Sequence, residues 1–451
     1  MNKNEQVHSK MTRARIGPLI LKLALPNTLG LLVIAGYSLA DSYFVSSLGT
    51  DAGAAVGVTF SLHVLIQAVG YTLGMGAGSL LSRALGKKDT QEANRAAQTA
   101  FYLSILFGGI ITALGLAFTE PLLRFLGASE SVLPYAKAYV VPLLWAASPM
   151  CAVFVLSQVL RAEGRAFYSM WGLVSGSVLN IFLDPILITQ AGFGIAGASV
   201  ATLISQILSL FVLISAFALR QSGLSLIRGF SLGTLFNAGA ITLAGLPSLF
   251  RQGLSGLATI LLNRAARGYG EATVTALSLV ARIFLLVFSV CLGIGQGMMP
   301  VVGYNMGSEN PKRMRAAFRF SLIVGTISML LIEIPLFVGA ETVLSWFHQG
   351  DTEVLRVGAS ALRAQSAVLF THGIVTSTIL YLQATGHSIQ GTILASARQG
   401  IFFLPLIFFL TKVFGLQGLI CTQPTADAFA FLFSLPFLYF SIKRLKKACL
   451  K

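Results

Sequence analysis

Twelve mostly apolar stretches, each long enough to cross a bilayer, follow one another along this chain. They lie near 17–46, 54–82, 97–119, 136–159, 167–189, 195–219, 238–263, 272–302, 316–340, 358–383, 393–414 and 418–442. A spanning helix needs about 20 such residues. Inside hydrocarbon, only a helix or a closed barrel satisfies every backbone N–H and C=O. A barrel would alternate apolar and polar residues in segments of about 10, whereas these runs are continuous. Charged residues make up only 11% of the chain, against roughly 25% in a soluble domain. So few charges cannot cover a water-facing surface, and a mean hydropathy of +0.79 excludes disorder. The expectation is an all-α polytopic membrane protein with twelve transmembrane helices.

The net charge of +16 then reads as topology. Basic residues recur at every second loop: Lys3, Lys10, Arg13 and Arg15; Arg83, Lys87, Lys88 and Arg95; Arg161 and Arg165; Arg220 and Arg228. The second half continues with Lys312, Arg313, Arg315 and Arg319; Arg398; and Lys443, Arg444, Lys446, Lys447 and Lys451. These are 22 of the 32 Lys and Arg residues. The positive-inside rule places both termini in the cytoplasm. A charge that alternates from loop to loop also argues against a nucleic-acid partner. Residues 1–15 are polar, with no short apolar core and cleavage site after them, so no cleaved signal peptide is expected.

The chain repeats itself at an offset of 221 residues. Leu25-Pro26 meets Leu246-Pro247, Gly49 meets Gly270, and Gly74, Gly76 and Gly86 meet Gly295, Gly297 and Gly307. Gly194 and Gly197 meet Gly415 and Gly418, and one residue of slippage brings Arg161-Ala-Glu-Gly164 onto Gln383-Ala-Thr-Gly386. A constant offset across most of a half indicates duplication. Six helices per repeat is an even number, so the repeats run parallel, related by an axis along the membrane normal. The expected organisation is two pseudo-symmetric six-helix bundles around a central cleft: 1–219, a cytoplasmic linker 220–237, and 238–451.

The repeats differ in their carboxylates. Asp41 has Leu262 as its mate, and Asp184 falls opposite Pro405-Leu406. An ionised Asp at mid-bilayer costs about 2.5–3.5 kcal/mol on insertion scales, so such residues by default face a cavity and serve a function. Pro26, Tyr37 and Asp41 share one helical stripe; Asn180 and Asp184 are one turn apart; Ser199, Thr202, Gln206 and Ser209 form a polar stripe. Carboxylate, amide, hydroxyl and phenol oxygens are hard ligands that suit Na+ or hold a proton. The competing reading is that each polar group simply hydrogen-bonds between helices. It weighs most for Thr202 and Gln206, and least for Asp41 and Asp184.

The run Asp41-Ser-Tyr-Phe-Val-Ser-Ser-Leu-Gly49 resembles the multidrug and toxic compound extrusion (MATE) family. So do Gly74-x-Gly76 through Ser82 to Gly86, Leu160-Arg-Ala-Glu-Gly164, and Asn180-Ile-Phe-Leu-Asp-Pro185 with Gly194 and Gly197. The likeness covers nearly the whole chain and is closest to the DinF-like branch. It implies two six-helix bundles that export cationic or amphipathic compounds against inward Na+ or H+. It also implies a bacterial or archaeal-type plasma (inner) membrane and a protein acting as a monomer among lipids. Asp41, Asn180, Asp184 and Thr202 would then hold the cation in the N-terminal lobe, Tyr37 would join their network, and Pro26 would mark a helix bend. No cofactor beyond the coupling ion is implied.

Another branch of that family carries acids in its seventh and tenth helices. This chain has Arg251, Gln252 and Asn263 in the seventh, and Gln365, Thr371 and His372 in the tenth. A second cation site in the C-terminal lobe is therefore not expected. Ser157 stands where an Asn is often found. Ser157, Gln206, Met75, Gln252, Arg251 and Arg282 are candidates for lining the substrate cavity. Arg251, Arg282, Glu333 and Asp427 are charges within apolar runs that would line that cavity or pair with neighbours; the sequence does not choose. His63 is expected to hydrogen-bond between helices. Gly74-x-Gly76-x-Gly78 reads as close packing. Gly86-Lys87 lacks the upstream glycine and the following Ser or Thr of a phosphate loop. A flippase for a lipid-linked saccharide is the alternative function. An enzyme is not expected, because no His-Glu-x-x-His or nucleophile elbow is present.

Overall fold

The computed structural model describes residues 3–46, 48–219, 221–226, 237–347 and 351–450, without the side chains at 3, 4, 38–43, 46 and 50. Among these residues the fold is all-α. The first repeat supplies α1 (Lys3–Arg13), α2 (Ile16–Ser46), α3 (Thr50–Gly86), α4 (Thr90–Ala117), α5 (Thr119–Phe125), α6 (Leu133–Ala162), α7 (Ala166–Pro185) and α8 (Ile195–Ala218). The second supplies α9 (Ala238–Arg267), α10 (Glu271–Gly307), α11 (Pro311–Val338), α12 (Ala340–Ser345), α13 (Thr352–Ser366), α14 (Thr371–Ala384), α15 (Ser388–Ser396) and α16 (Phe403–Leu450).

By length and apolarity alone, 9 described helices can cross a membrane, or 10 when α13 and α14, bent by 57°, count as one broken span. Two local features account for the difference from twelve. Helix α9 carries Arg251, Asn263, Arg264 and Arg267 and is too polar to pass. Residues 388–450 count once, yet Gly415, at φ 57 and ψ −133, breaks them into two helices. Twelve crossings are consistent with this arrangement.

The repeat is written into the backbone. Helices α3 and α10 both have 37 residues, and α4 and α11 both have 28. Gly49 and Gly270, which precede α3 and α10, have φ 114 and 102. Gly194 matches Gly415 with φ 54 against 57. An L side chain rarely adopts such angles, which is why glycine recurs at these turns. Asp89 and Asn310 cap α4 and α11 by accepting from Glu92 N at 2.8 Å and Arg313 N at 3.2 Å, the usual answer to unpaired N–H groups at a helix start.

The chain forms two compact units that do not follow the repeat boundary. One contains Met1–Arg13 and Leu29–Gly245; the other contains Ala14–Thr28 and Leu246–Lys451. The first half of α2 thus packs in the C-terminal unit, and the start of α9 packs in the N-terminal unit. Four glycines make this possible, two of them, Gly76 and Gly297, being repeat mates. In the N-terminal unit a Cβ on Gly76 would come within 2.9 Å of Ile241 C, and one on Gly245 within 2.7 Å of Thr72 C. In the C-terminal unit a Cβ on Gly297 would come within 2.8 Å of Ala24 N, and one on Gly293 within 2.9 Å of Thr28 Cα. Backbones this close tolerate only glycine at those positions. The exchange occurs next to Pro26 and Pro247, both inside helices. A proline lacks the N–H that would bond the carbonyl four residues back.

Candidate functional site

Within the N-terminal unit, α7 and α8 are antiparallel neighbours in tight register. Gly176 lies against Ser205, where an added Cβ would come within 2.7 Å of the Ser205 carbonyl oxygen, and it would also overlap Ser209 Oγ. Gly197 lies against Leu187, with a Cβ 2.7 Å from its carbonyl. This register puts Thr202 between the levels of Asn180 and Asp184. Helix α2 approaches α7 at Gly30, 3.8 Å from Leu173 by the same measure.

The candidate side chains are each withdrawn from solvent: Asp184 is 0% exposed, Asn180 2%, Thr202 5% and Tyr37 8%. Asn180 Nδ2 donates to Asp184 Oδ1 at 3.5 Å, and Thr202 Oγ1 donates to Ala198 O at 3.1 Å. Three further buried oxygens, Asn180 Oδ1, Ser205 Oγ and Gln206 Oε1, have no hydrogen-bond partner among the described residues. Buried polar atoms are normally satisfied, so these three are the spare hard oxygens at this level of the helices. They fit Na+ or a proton. Directly after Asp184-Pro185 the helix widens into a π segment, Ile186–Gln190, closed by Ala191 N donating to Ile186 O at 2.8 Å. Pro185 cannot donate to the regular ladder, and such π segments often mark functional positions. The α2 helix includes position 41, but the Asp41 side chain lies outside the described residues.

The remaining candidates separate. Ser157 is buried and donates to Phe154 O of its own helix at 3.2 Å. Met75 is 1% exposed in the packed interior of the N-terminal unit. In the C-terminal unit Arg251 and Gln252 are half-buried and Arg282 is exposed. His63 meets Gln67, one turn along its own helix, with 2.8 Å between Gln67 Nε2 and His63 Nε2. The interhelical partner expected from the sequence is thus replaced by a local one.

The C-terminal unit holds a second buried carboxylate, with partners the sequence left open. Asp427 on α16 accepts from Gln365 Nε2 (α13) at 2.7 Å and from Gln423 Nε2, one turn away, at 2.8 Å. Arg398 Nε meets it at 2.6 Å, and His372 Nε2 (α14) lies 3.5 Å away. Arg398 belongs to a π segment, Ala397–Phe402. Its guanidinium lies 4.8 Å over the Phe284 ring and 5.4 Å from that of Phe288. Asp427 is therefore paired, and Glu333 is too: its Oε2 accepts from Phe370 N at 3.1 Å, at the break between α13 and α14.

Glu163, noted in the sequence only as part of a motif, is 3% exposed and ties down the start of the linker. It accepts from Ser222 Oγ at 2.7 Å and Gly223 N at 2.6 Å, and pairs with Arg165 at 2.9 Å. Arg161 is 3% exposed, with Nε donating to Ser169 Oγ at 2.9 Å. Arg161 and Arg165 are thus both largely withdrawn from solvent.

Comparison with known proteins gives one consistent result. The MatE family profile matches twice, at residues 26–186 and 247–409, the same 221-residue offset as the internal repeat. The multidrug export protein MepA of Staphylococcus haemolyticus is 27% identical over 409 residues, covering 90% of each chain. The FAD transporter of Shewanella oneidensis is 26% identical over 423 residues, covering 92% of each. The crystal structure of MATE in complex with MaL6 is 28% identical and superposes with a TM-score of 0.91, over 99% of this chain and 100% of that one. A MOP-superfamily transporter from Pyrococcus furiosus, described as having a binding pocket of reversed polarity, is 27% identical with a TM-score of 0.90 over 99% of each chain. With the profile matched once in each repeat, over most of the length of a multi-pass helical membrane protein, this chain belongs to the MatE family of multidrug and toxic compound extrusion transporters.

Proposed function

We propose that the chain is a cation-coupled secondary antiporter. It would export cationic or amphipathic compounds across a bacterial or archaeal plasma membrane, as a monomer with both termini in the cytoplasm, driven by inward H+ or Na+. One observation carries this reading: the buried nest of Asn180, Asp184 and Thr202, with the partnerless oxygens of Asn180, Ser205 and Gln206. On this reading Asp41, whose side chain lies outside the described residues, would be the second carboxylate. Two nearby carboxylates cannot both ionise cheaply, so the pair takes up a cation and titrates together. Coupling requires the outward- and inward-open states to bind that cation with different affinity.

The test is efflux from proteoliposomes with the pH and Na+ gradients imposed separately. Gradient-driven efflux that vanishes in Asp184→Asn and Asp41→Asn supports the mechanism. Efflux that persists undiminished in both variants sinks it. A second reading follows from the FAD transporter of Shewanella oneidensis, a relative as similar as MepA: the cargo is an anionic dinucleotide. Counter-flow of labelled FAD in the same vesicles, in place of a cationic dye, decides between the two.

A further inference from the structure

A groove of about 350 Å³ opens between the last turns of α9 and the first half of α16. Leu261, Ile407 and Phe408 form its apolar walls, and Arg264 and Lys412 flank it from the two helices. Thr411 also lines it. Its Oγ1 is buried without a hydrogen-bond partner among the described residues, unlike Thr422 and Thr378, whose hydroxyls donate to Gly418 O and Ile374 O at 2.8 Å.

The charges around this groove are unusual for their end of the molecule. On the positive-inside reading, this end faces outward, and other cations at such ends are paired. Arg363 meets Glu341 at 3.0 Å and Arg356 meets Glu353 at 2.7 Å. In the matching loop of the first repeat, Lys137 meets Glu120 at 2.6 Å and Arg124 meets Glu120 at 3.0 Å. Arg264, Arg267 and Lys412 form no ion pair among the described residues. The nearby Glu271 stands in the first turn of α10 and bridges to none of them. Cations in a last turn do favour the helix C-terminus. That accounts for each charge singly, but not for two helices placing cations around one groove, nor for the buried Thr411 hydroxyl.

We infer that this groove binds an anionic phospholipid. Its phosphodiester lies between Arg264 and Lys412 with Thr411 Oγ1 donating to it, and the upper acyl chain lies on Leu261, Ile407 and Phe408. Arginine and lysine are suited to a phosphate at the interface, the one by its fork of donors and the other as a point charge. Their aliphatic stems lie naturally along an apolar wall. The site is separate from the buried nest of α7 and α8, and it stands whether or not the antiport reading does.

The experiment uses delipidated full-length protein in mixed micelles, titrated with dioleoylphosphatidylglycerol or dioleoylphosphatidylcholine. Binding is read by native mass spectrometry and by the rise in Tm. Wild type should prefer phosphatidylglycerol. Arg264→Ala with Lys412→Ala should weaken that lipid roughly tenfold or more, as expected for removing two interfacial charges. Both side chains are exposed, so Tm in phosphatidylcholine should stay unchanged. Thr411→Val should give a smaller loss of the same preference. A control pair at exposed basic positions elsewhere, Lys312→Ala with Arg315→Ala, should retain it. The inference is overturned if the first double variant keeps the wild-type preference, if the control loses as much, or if wild type binds both lipids equally.

Discussion

Asp184 and Asp427 are both buried carboxylates inside helical units of the same ancestry, yet their surroundings are opposite. Asp427 is gripped by Gln365, Gln423 and Arg398 within 2.8 Å and has His372 at 3.5 Å. Asp184 accepts from Asn180 Nδ2 at the longer distance of 3.5 Å, among hydroxyls and amides, some with oxygens left over. A buried charge must be compensated. In the C-terminal unit protein cations and amides do this permanently. In the N-terminal unit the amide of Asn180 is a neutral donor, and the proposed function has a cation supplied from outside. On the proposed function, difference in compensation, rather than burial, separates a structural carboxylate from one suited to coupling.

The largest expected effect attacks the C-terminal side of this contrast. Asp427→Asn strands Arg398 without its carboxylate and should destabilise the protein by about 3–5 kcal/mol, seen as a large fall in Tm in detergent. Replacing the pair by Asp427→Leu with Arg398→Met should recover most of the stability, because apolar replacements remove both charges together. A double variant as unstable as the single one would mean Asp427 does more than neutralise Arg398.

Gly176→Ala comes next. Its Cβ would approach the Ser205 carbonyl at 2.7 Å, forcing α7 from α8 at a cost of about 1–3 kcal/mol. Both Tm and transport should fall, since the register that levels Thr202 with Asn180 and Asp184 is disturbed. Asp184→Asn sharpens the contrast from the other side. It keeps the shape of the side chain, so Tm should stay near wild type. Gradient-driven efflux should drop roughly tenfold or more, in the range of coupling free energies between sites. If Asp184→Asn unfolds the protein as Asp427→Asn does, the two carboxylates are alike and the contrast fails.

The smallest effect belongs to an exposed carboxylate. Hydrogen bonds from Lys137 and then Arg124 hold Glu120 below the usual glutamate range. A lowered folded value adds stability above the unfolded value and loses it as pH falls through the folded one. Glu120→Gln should therefore leave Tm unchanged below the glutamate range and lower it slightly near neutrality, and salt should remove even that difference. A large loss at pH 7 in high salt would show that exposed pairs matter here as much as the buried one.

Local features carried much of this in the sequence. Apolar run length gives helices because hydrocarbon leaves the backbone no other partner. Repeat-mate glycines such as Gly194 and Gly415 are legible because positive φ selects glycine wherever it occurs. The Asn180–Asp184 pair is legible because one helical turn is a fixed distance along the chain. The Asp427 cluster is not: its partners lie 62, 55 and 29 residues away on α13, α14 and the π segment, and only Gln423, at one turn, gave a local hint. Glu163 was hidden in the same way, since Ser222 and Gly223 reach it from 59 and 60 residues further on.

By itself the sequence determined the helices, their duplication, the MATE likeness and the N-terminal polar stripe, all set by spacing along one chain. Only the tertiary structure decided which charges are compensated and which unit each half of α2 and α9 joins. Those outcomes depend on backbones meeting at Gly76 and Gly297 and on side chains converging from distant helices. Hydrophobicity drives helices together without direction; close contact between particular atoms selects the partner.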